Sequence, residues 1–247
     1  MHLTVPHEHE VLELDCFDNW LSAWVCKGVL SGDTYPYFDF VPDVRVILDV
    51  GANCGAASVY FSACYPDAEI HAFEPSPSTF EVLAGNAARR ANVTPHNIGL
   101  HRTDQQLPLY RGDVDSVTAS VFPRGSNAAE SELVTLRSAS AWLAEQGIDR
   151  VDILKVDVEG CELEVLDSLR TLLPSIRLLY VEYDSKEARL EIDDLLRGTH
   201  WLAMGQMFLS QGEAVYVADE VLADEPAVEA AILKLWSKKL NAGKATS

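Results

Sequence analysis

The sequence predicts an α/β protein built on a doubly wound, mostly parallel sheet, with an antiparallel terminal hairpin and an N-terminal helical cap. Three observations carry this. Apolar runs of strand length alternate with helix-length segments between residues 44 and 199, the order that builds parallel sheets with helices on both faces. A glycine-lined corner, "DVGANCG" at 49–55, joins the first of those strands to its helix. Near the end, "HWLAMGQMFLSQGEAVYVAD" (200–219) reads as strand, "SQGE" turn and strand, which is a hairpin.

Taken in order, residues 11–30 place Leu14, Phe17, Leu21, Trp24 and Val25 at helical spacing with Trp20 beside them, predicting the cap helix. "VRVILDV" (44–50) is an unbroken apolar strand, the kind buried on both faces of a parallel sheet. A helix over about 54–65 follows and ends before Pro66. "AEIHAFE" (68–74) is the second strand, closed by Pro75, and Ser76 begins the next helix as an N-cap. "PHNIGLH" (95–101) reads as a third strand and "LPLYRGD" (107–113) as an added hairpin or edge segment. Gly, Ser and Asp make 111–131 a loop, and "ELVTLRS" a short strand before a helix at 138–148. "VDILKVD" (151–157) and "IRLLYVEYD" (176–184) are the fourth and fifth strands, each followed by a helix, at 161–173 and from Ser185 onward. An amphipathic helix at 226–240 ends the chain. The expected organisation is a cap or lid over 1–42, the sheet domain over 43–219, and a C-terminal helix within 220–247 packed on that domain.

With 247 residues and 48% hydrophobic content the chain can bury one large core plus a small cap. Its 38 acids against 19 Lys and Arg give a formal charge of −19. Such a surface repels phosphate backbones and anionic lipid, so neither nucleic acid nor membrane is expected as a partner. Nothing at the N-terminus resembles a signal peptide, and no apolar run reaches the ~18 residues of a membrane span. Five cysteines without a C-x-x-C pair indicate neither a disulfide framework nor a zinc site. A reduced, cytoplasmic protein with buried thiols is expected.

The glycine corner suits a ligand at the carboxyl end of the first strand. Gly51 and Gly55 bracket the turn, and the free N–H groups at the helix start favour a carboxylate or phosphate. A Walker loop would need a Lys that is absent, and a dinucleotide fingerprint a glycine where Asn53 stands. What remains, Asp49 to Gly55 as D-x-G-x-x-x-G, is the spacing associated with S-adenosylmethionine. Glu74 ends the second strand, 19 residues beyond Gly55, where a carboxylate can accept both ribose hydroxyls.

"LDVGANCG", "HAFEPSPSTFEVLAGN" and "VDILKVDVEGCELEVLDSL" followed by "LLYVEYD" resemble the FkbM family of S-adenosylmethionine-dependent methyltransferases over roughly 45–185. The resemblance implies the seven-stranded, Rossmann-like class I methyltransferase sheet, whose seventh strand is antiparallel. It also implies O-methylation of a hydroxyl, commonly on a natural product or sugar. By this similarity Gly51, Ala52 and Asn53 line the methionine part of the cofactor, Glu74 its ribose, and Gly99 to His101 its adenine, with Asp49, Gly55 and Pro75 completing the set. His101 stands where small residues are more usual.

Methyl transfer to an alcohol needs the nucleophile held in line and its proton removed. Asp157, ending the fourth strand, and Glu159 are the candidate acceptors of that proton. Asp157 equally suits the N-cap of the next helix, and Glu159 a first-turn acid. Glu182 and Asp184 end the adjacent strand, and the four acids could hold Mg²⁺, but their spacing is no metal signature and the metal is not favoured. "HEHE" (7–10) lacks helical zinc spacing and reads as a flexible acidic tail. His71 reads as core or sheet surface, His96 as solvent-facing, and Cys54 as a small packing residue. Trp20, Trp24 and Tyr37 in the cap, with Glu182 and Asp184 at the strand end, are the candidate substrate contacts; Phe17, Trp20, Trp24 and "YPYFDF" (35–40) would form an apolar lid that "SVTAS" in the 111–131 loop could join. The expected activity is O-methylation of a small-molecule hydroxyl. The alternatives are a small-molecule N-methyltransferase and, from another class, a non-catalytic nucleoside-binding module; a nicotinamide dehydrogenase is disfavoured by Asn53. The terminal helix is free to dock on its own sheet or to build a homodimer.

Overall fold

The computed structural model describes residues 1–8, 10–110 and 131–245. The chain opens with an antiparallel hairpin, β1 (His2–His7) and β2 (Glu10–Asp15), and only then forms α1 (Trp20–Leu30). The cap is therefore part strand, not the single helix over 11–30 that the spacing of apolar residues predicts. Leu12 and Leu14, two apart, are both buried on one face of the hairpin, so a period of two overrides the helical period up to residue 15. Asn19, whose side chain accepts the Ser22 N–H at 2.7 Å, sets the true helix start. His7 ends β1 and pairs with Glu10, which begins β2, so "HEHE" is not a flexible tail; its His9 lies outside the described residues.

The sheet domain follows with β3 (Val46–Val50), α2 (Ala56–Cys64), β4 (Glu69–Phe73), α3 (Pro77–Ala87) and β5 (Val93–His96). Next come β6 (Gly99–His101), β7 (Gln105–Tyr110), β8 (Ser131–Ser138) and α4 (Ala139–Gln146). Then come β9 (Ile153–Val156), α5 (Glu162–Ser168), β10 (Leu178–Tyr183), α6 (Lys186–Leu196), β11 (His200–Met207), β12 (Gly212–Ala218) and α7 (Glu225–Ala245). The loop reading of 111–130, "SVTAS" included, lies outside the described residues.

The main sheet runs β11-β12-β10-β9-β3-β4-β5. From β10 to β5 every neighbour is parallel, and β12 is antiparallel to β10 and to β11. The chain winds outward in one direction from β3 through β4 to β5, and in the other from β9 to β10. A crevice consequently opens between β3 and β9 at their carboxyl ends. Alternate residues of the central strands enter two cores: Ile47, Ile153 and Leu178 on one face, Leu48, Leu154 and Leu179 on the other. Each such side chain contributes about 1.5–3 kcal/mol by leaving water.

One strand of the sequence reading divides in two. "PHNIGLH" supplies the end of β5 in the main sheet, then bends into β6, which pairs with β8 in a separate three-stranded sheet, β6-β8-β7. Asn97 makes the bend, its side-chain amide donating to the carbonyls of Glu74 (3.0 Å) and Pro75 (3.1 Å). No described helix is long and apolar enough to cross a membrane.

Candidate active site

The glycine corner leaves β3 through three left-handed residues: Gly51 (φ 79°), Asn53 (φ 51°) and Gly55 (φ 89°). A Cβ on Gly51 would stand 1.7 Å from the carbonyl oxygen of Asp157, so no larger residue fits between β3 and the end of β9. At Gly55 a Cβ would meet Leu83 of α3 at 2.7 Å, which makes this glycine a helix-packing device; it lines neither cavity described below. Asn53 adopts the left-handed conformation that asparagine tolerates better than most residues.

Glu74, at the carboxyl end of β4, is 8% exposed and faces the corner. Its Oε2 accepts the Asn53 N–H at 3.0 Å and its Oε1 the Ser76 N–H at 2.9 Å. Burial raises its carboxyl to about 7 against the lowering effect of these bonds.

Behind the corner lies a buried ion network. Lys155, in the middle of β9 and 3% exposed, donates to the Gly51 carbonyl at 2.6 Å. Its ammonium also stands 3.3 Å from Asp49 Oδ1 and 3.3 Å from Asp157 Oδ2. Asp49 accepts the Ser58 hydroxyl at 2.6 Å on its other oxygen. The Tyr35 ring lies 5.6 Å from the ammonium, and its hydroxyl donates to Asp157 Oδ2 at 3.1 Å. Burial alone would lower the lysine, but Asp157 and Asp49 hold it charged, above its ordinary range. Burial likewise raises the Asp157 carboxyl, yet the Lys155 charge with bonds from Glu182, Lys155 and Tyr35 leaves it below the usual carboxylate value.

Glu182, beside Asp157 on β10, behaves oppositely. The Asp157 charge and then burial push its carboxyl up to about 11, so it is neutral at pH 7 and donates to Asp157. Asp157 is not a helix cap: α5 follows Cys161, with no side-chain cap bond. Nor is Glu159 in the first turn; it sits in the connecting loop with φ 55°, ahead of Gly160 (φ 111°). Glu162 fixes that loop, its Oε1 accepting the N–H groups of Val158 (3.2 Å) and Gly160 (3.0 Å).

Two cavities meet here. The narrower is lined by Gly51, Asn53, Glu74, Pro75, Gly99 and Leu100, and passes on to Leu109 and Leu136 of the small sheet. The wider, about 880 Å³, lies between the cap and the strand ends and is walled by Trp24, Tyr35, Ala52, Glu182, Asp184 and Glu213 among others. Gly51, Asn53, Asp157 and Glu159 line both. Asp49 lies beneath the floor with no wall of its own. His101, expected as an adenine contact, is not among the residues that line the narrow cavity; its ring is bonded to the Gln105 side chain at 2.9 Å. Two lid residues are corrected as well. Trp20, the first residue of α1, is 75% exposed and lines neither cavity. The Tyr37 ring packs against Tyr65 in a tilted pair, centroids 5.2 Å apart, and Tyr35, not Tyr37, lines the wider cavity. His96 is sandwiched beside Phe73 and Trp142 instead of facing solvent.

Lys155 and Glu162 are functional candidates that the sequence reading missed, and Tyr35 was read only as a lid aromatic, not as a donor to Asp157. For Lys155 a signal exists: a lone cation inside an apolar strand buried on both faces needs an anionic partner. Among the described residues no group of three or more His, Cys, Asp or Glu side chains is arranged to hold a metal ion.

Residues 49–202 match the methyltransferase FkbM domain. The chain is 35% identical over 200 residues to the methyltransferase sdnD of Sordaria araneosa, covering 66% of this chain and 77% of that protein. It is 29% identical over 188 residues to the 31-O-demethyl-FK506 methyltransferase FkbM of Streptomyces tacrolimicus, covering 62% of this chain and 71% of that one. Two other curated relatives are spanned over only 66% and 55% of their own length. The Methanococcus jannaschii fibrillarin pre-rRNA processing protein superimposes with a TM-score of 0.50 at 13% identity, covering 88% of this chain and 83% of that one, a likeness of fold alone.

Proposed function

Since the chain belongs to the FkbM-domain family of methyltransferases, we propose that it moves a methyl group from S-adenosylmethionine to a hydroxyl of a small molecule. The observation that carries this reading is the meeting of the two cavities at Gly51, Asn53, Asp157 and Glu159. A narrow slot suited to a nucleoside opens there into a chamber roomy enough for an acceptor. The residues of the slot fit the cofactor. A carboxylate has about four acceptor sites, and Glu74 has committed one on each oxygen to backbone N–H groups, leaving each oxygen one for a ribose hydroxyl. The cofactor supplies an electrophilic methyl on a sulfonium. The protein's own part is to orient and to handle a proton. On this reading the Glu74 end holds the ribose, the buried Tyr35 covers part of the wider cavity's wall, and Asp157 is the group assigned to accept the hydroxyl proton as the oxygen attacks. The 31-O-demethyl-FK506 methyltransferase, whose name gives a hydroxyl acceptor, supports O-transfer as the chemistry.

Calorimetric titration of S-adenosylmethionine and, separately, NAD into the protein tests the cofactor. Micromolar binding of the first and none of the second is expected. Product mass after incubation with a panel of alcohols then tests turnover, and binding without turnover on any acceptor would favour a nucleoside-binding module.

A further inference from the structure

We infer that Lys155 is a positioning residue that couples the two halves of the site, pinning the glycine corner and keeping Asp157 ionised toward the transferable methyl. The inference rests on the cofactor assignment above for its ligand, while the placement of the lysine stands independently.

Lys155 reaches one backbone oxygen and two carboxylates from a single buried ammonium. The Gly51 carbonyl, 2.6 Å away, belongs to the residue that lines both cavities. The Asp157 oxygen at 3.3 Å is the one that also takes the Tyr35 hydroxyl. Asp49, fully buried and 3.3 Å away, balances the charge from beneath. A buried cation with partners on two strands resists movement of either strand end, so one side chain sets the spacing between the corner and the acid.

The electrostatic consequence is specific. Acids crowd this end of the sheet: Glu182 on β10 and Glu162 after the loop act on Asp157 directly, Asp49 on β3 shares its lysine, and Glu159, Asp184 and Glu213 line the same cavity. Tyr35 adds a hydroxyl from the cap. Among so many carboxyls one carboxylate stays charged only if a cation sits against it. Lys155 occupies that place, and the surplus negative charge is relieved by protonation of Glu182 instead.

S-adenosylmethionine and S-adenosylhomocysteine make a matched pair of probes, differing by one methyl and the sulfonium charge. Their affinity ratio cancels losses common to both and reads the charge at Asp157. Wild type is expected to hold that ratio within about twofold from about pH 5 to about pH 8, because Asp157 is ionised throughout. Lys155→Met should weaken both ligands, and its ratio should fall about tenfold toward the acid end as Asp157 takes a proton. Lys155→Arg should flatten the ratio again. A Lys155→Met protein that binds both ligands with the wild-type, pH-independent ratio overturns the inference, since a merely structural lysine would lower stability and leave the ratio alone. Should Lys155→Met not fold, the wild-type protein decides. The carbon-13 carboxyl signal of Asp157, assigned by its loss in Asp157→Asn, should remain that of a carboxylate across the same range, and titration within it overturns the inference. If wild type binds neither ligand, the cofactor assignment fails while the carboxyl titration still judges the lysine.

Discussion

Tyr35 and Asp157 stand 122 positions apart in the chain, yet the phenol donates to the carboxylate at 3.1 Å. Through this bond the cap takes part in the electrostatics of the strand ends and is more than a cover. Tyr35→Phe removes only the donor. A hydrogen bond to a charged group contributes about 1.5–3 kcal/mol, and Asp157 keeps other partners, so a loss of about 1–2 kcal/mol in urea unfolding is expected. Tyr37→Phe, at a ring that faces no acid of the site, should change stability by less than about 0.5 kcal/mol. Equal effects of the two changes would deny the bond its role.

Gly51 and Gly147, both left-handed, separate conformational strain from steric collision. Gly147 (φ 70°) has nothing within 4 Å of a built Cβ, whereas at Gly51 that atom collides with the Asp157 carbonyl. Gly147→Ala should therefore cost about 1 kcal/mol. Gly51→Ala should cost at least about 3 kcal/mol or abolish cofactor binding in the folded protein, as read by urea unfolding and calorimetry.

Glu182 should tolerate loss of its charge because it carries none at pH 7. Glu182→Gln keeps a donor toward Asp157 and is expected to match wild type within about 0.5 kcal/mol. Glu182→Ala, which leaves a buried carboxylate one donor short, should cost about 1–3 kcal/mol. A large penalty for the glutamine in urea unfolding at pH 7 would mean that Glu182 is ionised in the folded protein.

Glu162 should reveal itself through pH. Burial raises its carboxyl from 4.5 to about 7, so the folded state holds a proton that the unfolded chain releases. Its contribution is fully present below about 4.5 and is lost as the pH rises through about 7. Glu162→Gln retains the oxygen bonded by Val158 and Gly160 but cannot titrate. The melting temperature of wild type relative to this variant should thus increase as the pH falls from about 8 to about 5. The comparison between variants matters because His71, His96, His101 and His200, all lowered by burial, act in the opposite direction as they gain protons. A difference that stays flat with pH would show that Glu162 does not titrate there.

Much of this site could be read from the sequence because its signals are local. Unbroken apolar runs gave the parallel strands, and Gly51, Asn53 and Glu74 lie within 24 positions, inside one β-α-β unit. Contacts that the sequence cannot announce were the ones missed. Tyr35 meets Asp157 only because the cap folds back over the sheet, and neither residue has a neighbour in sequence that hints at the other. Lys155 was legible as an anomaly but not in its partners, since Gly51 and Asp49 are reached across a strand boundary. The bend at Asn97 was hidden because a strand leaving one sheet for another keeps the same residue preferences throughout. At the N-terminus two periods competed over the same leucines, and tertiary burial of Leu12 and Leu14 decided for the strand.

The wider cavity takes its walls from two places that the shared FkbM stretch, residues 49–202, does not reach: Trp24 and Tyr35 before it, Gln206, Gln211 and Glu213 after it. Glu74, Lys155 and Asp157 all fall inside. Under the reading proposed above, these flanks help to shape the acceptor's side of the site, while the residues assigned to the donor lie within the shared stretch. Exchanging those flanks between relatives should, on that reading, change the acceptor that is methylated and leave S-adenosylmethionine binding in place.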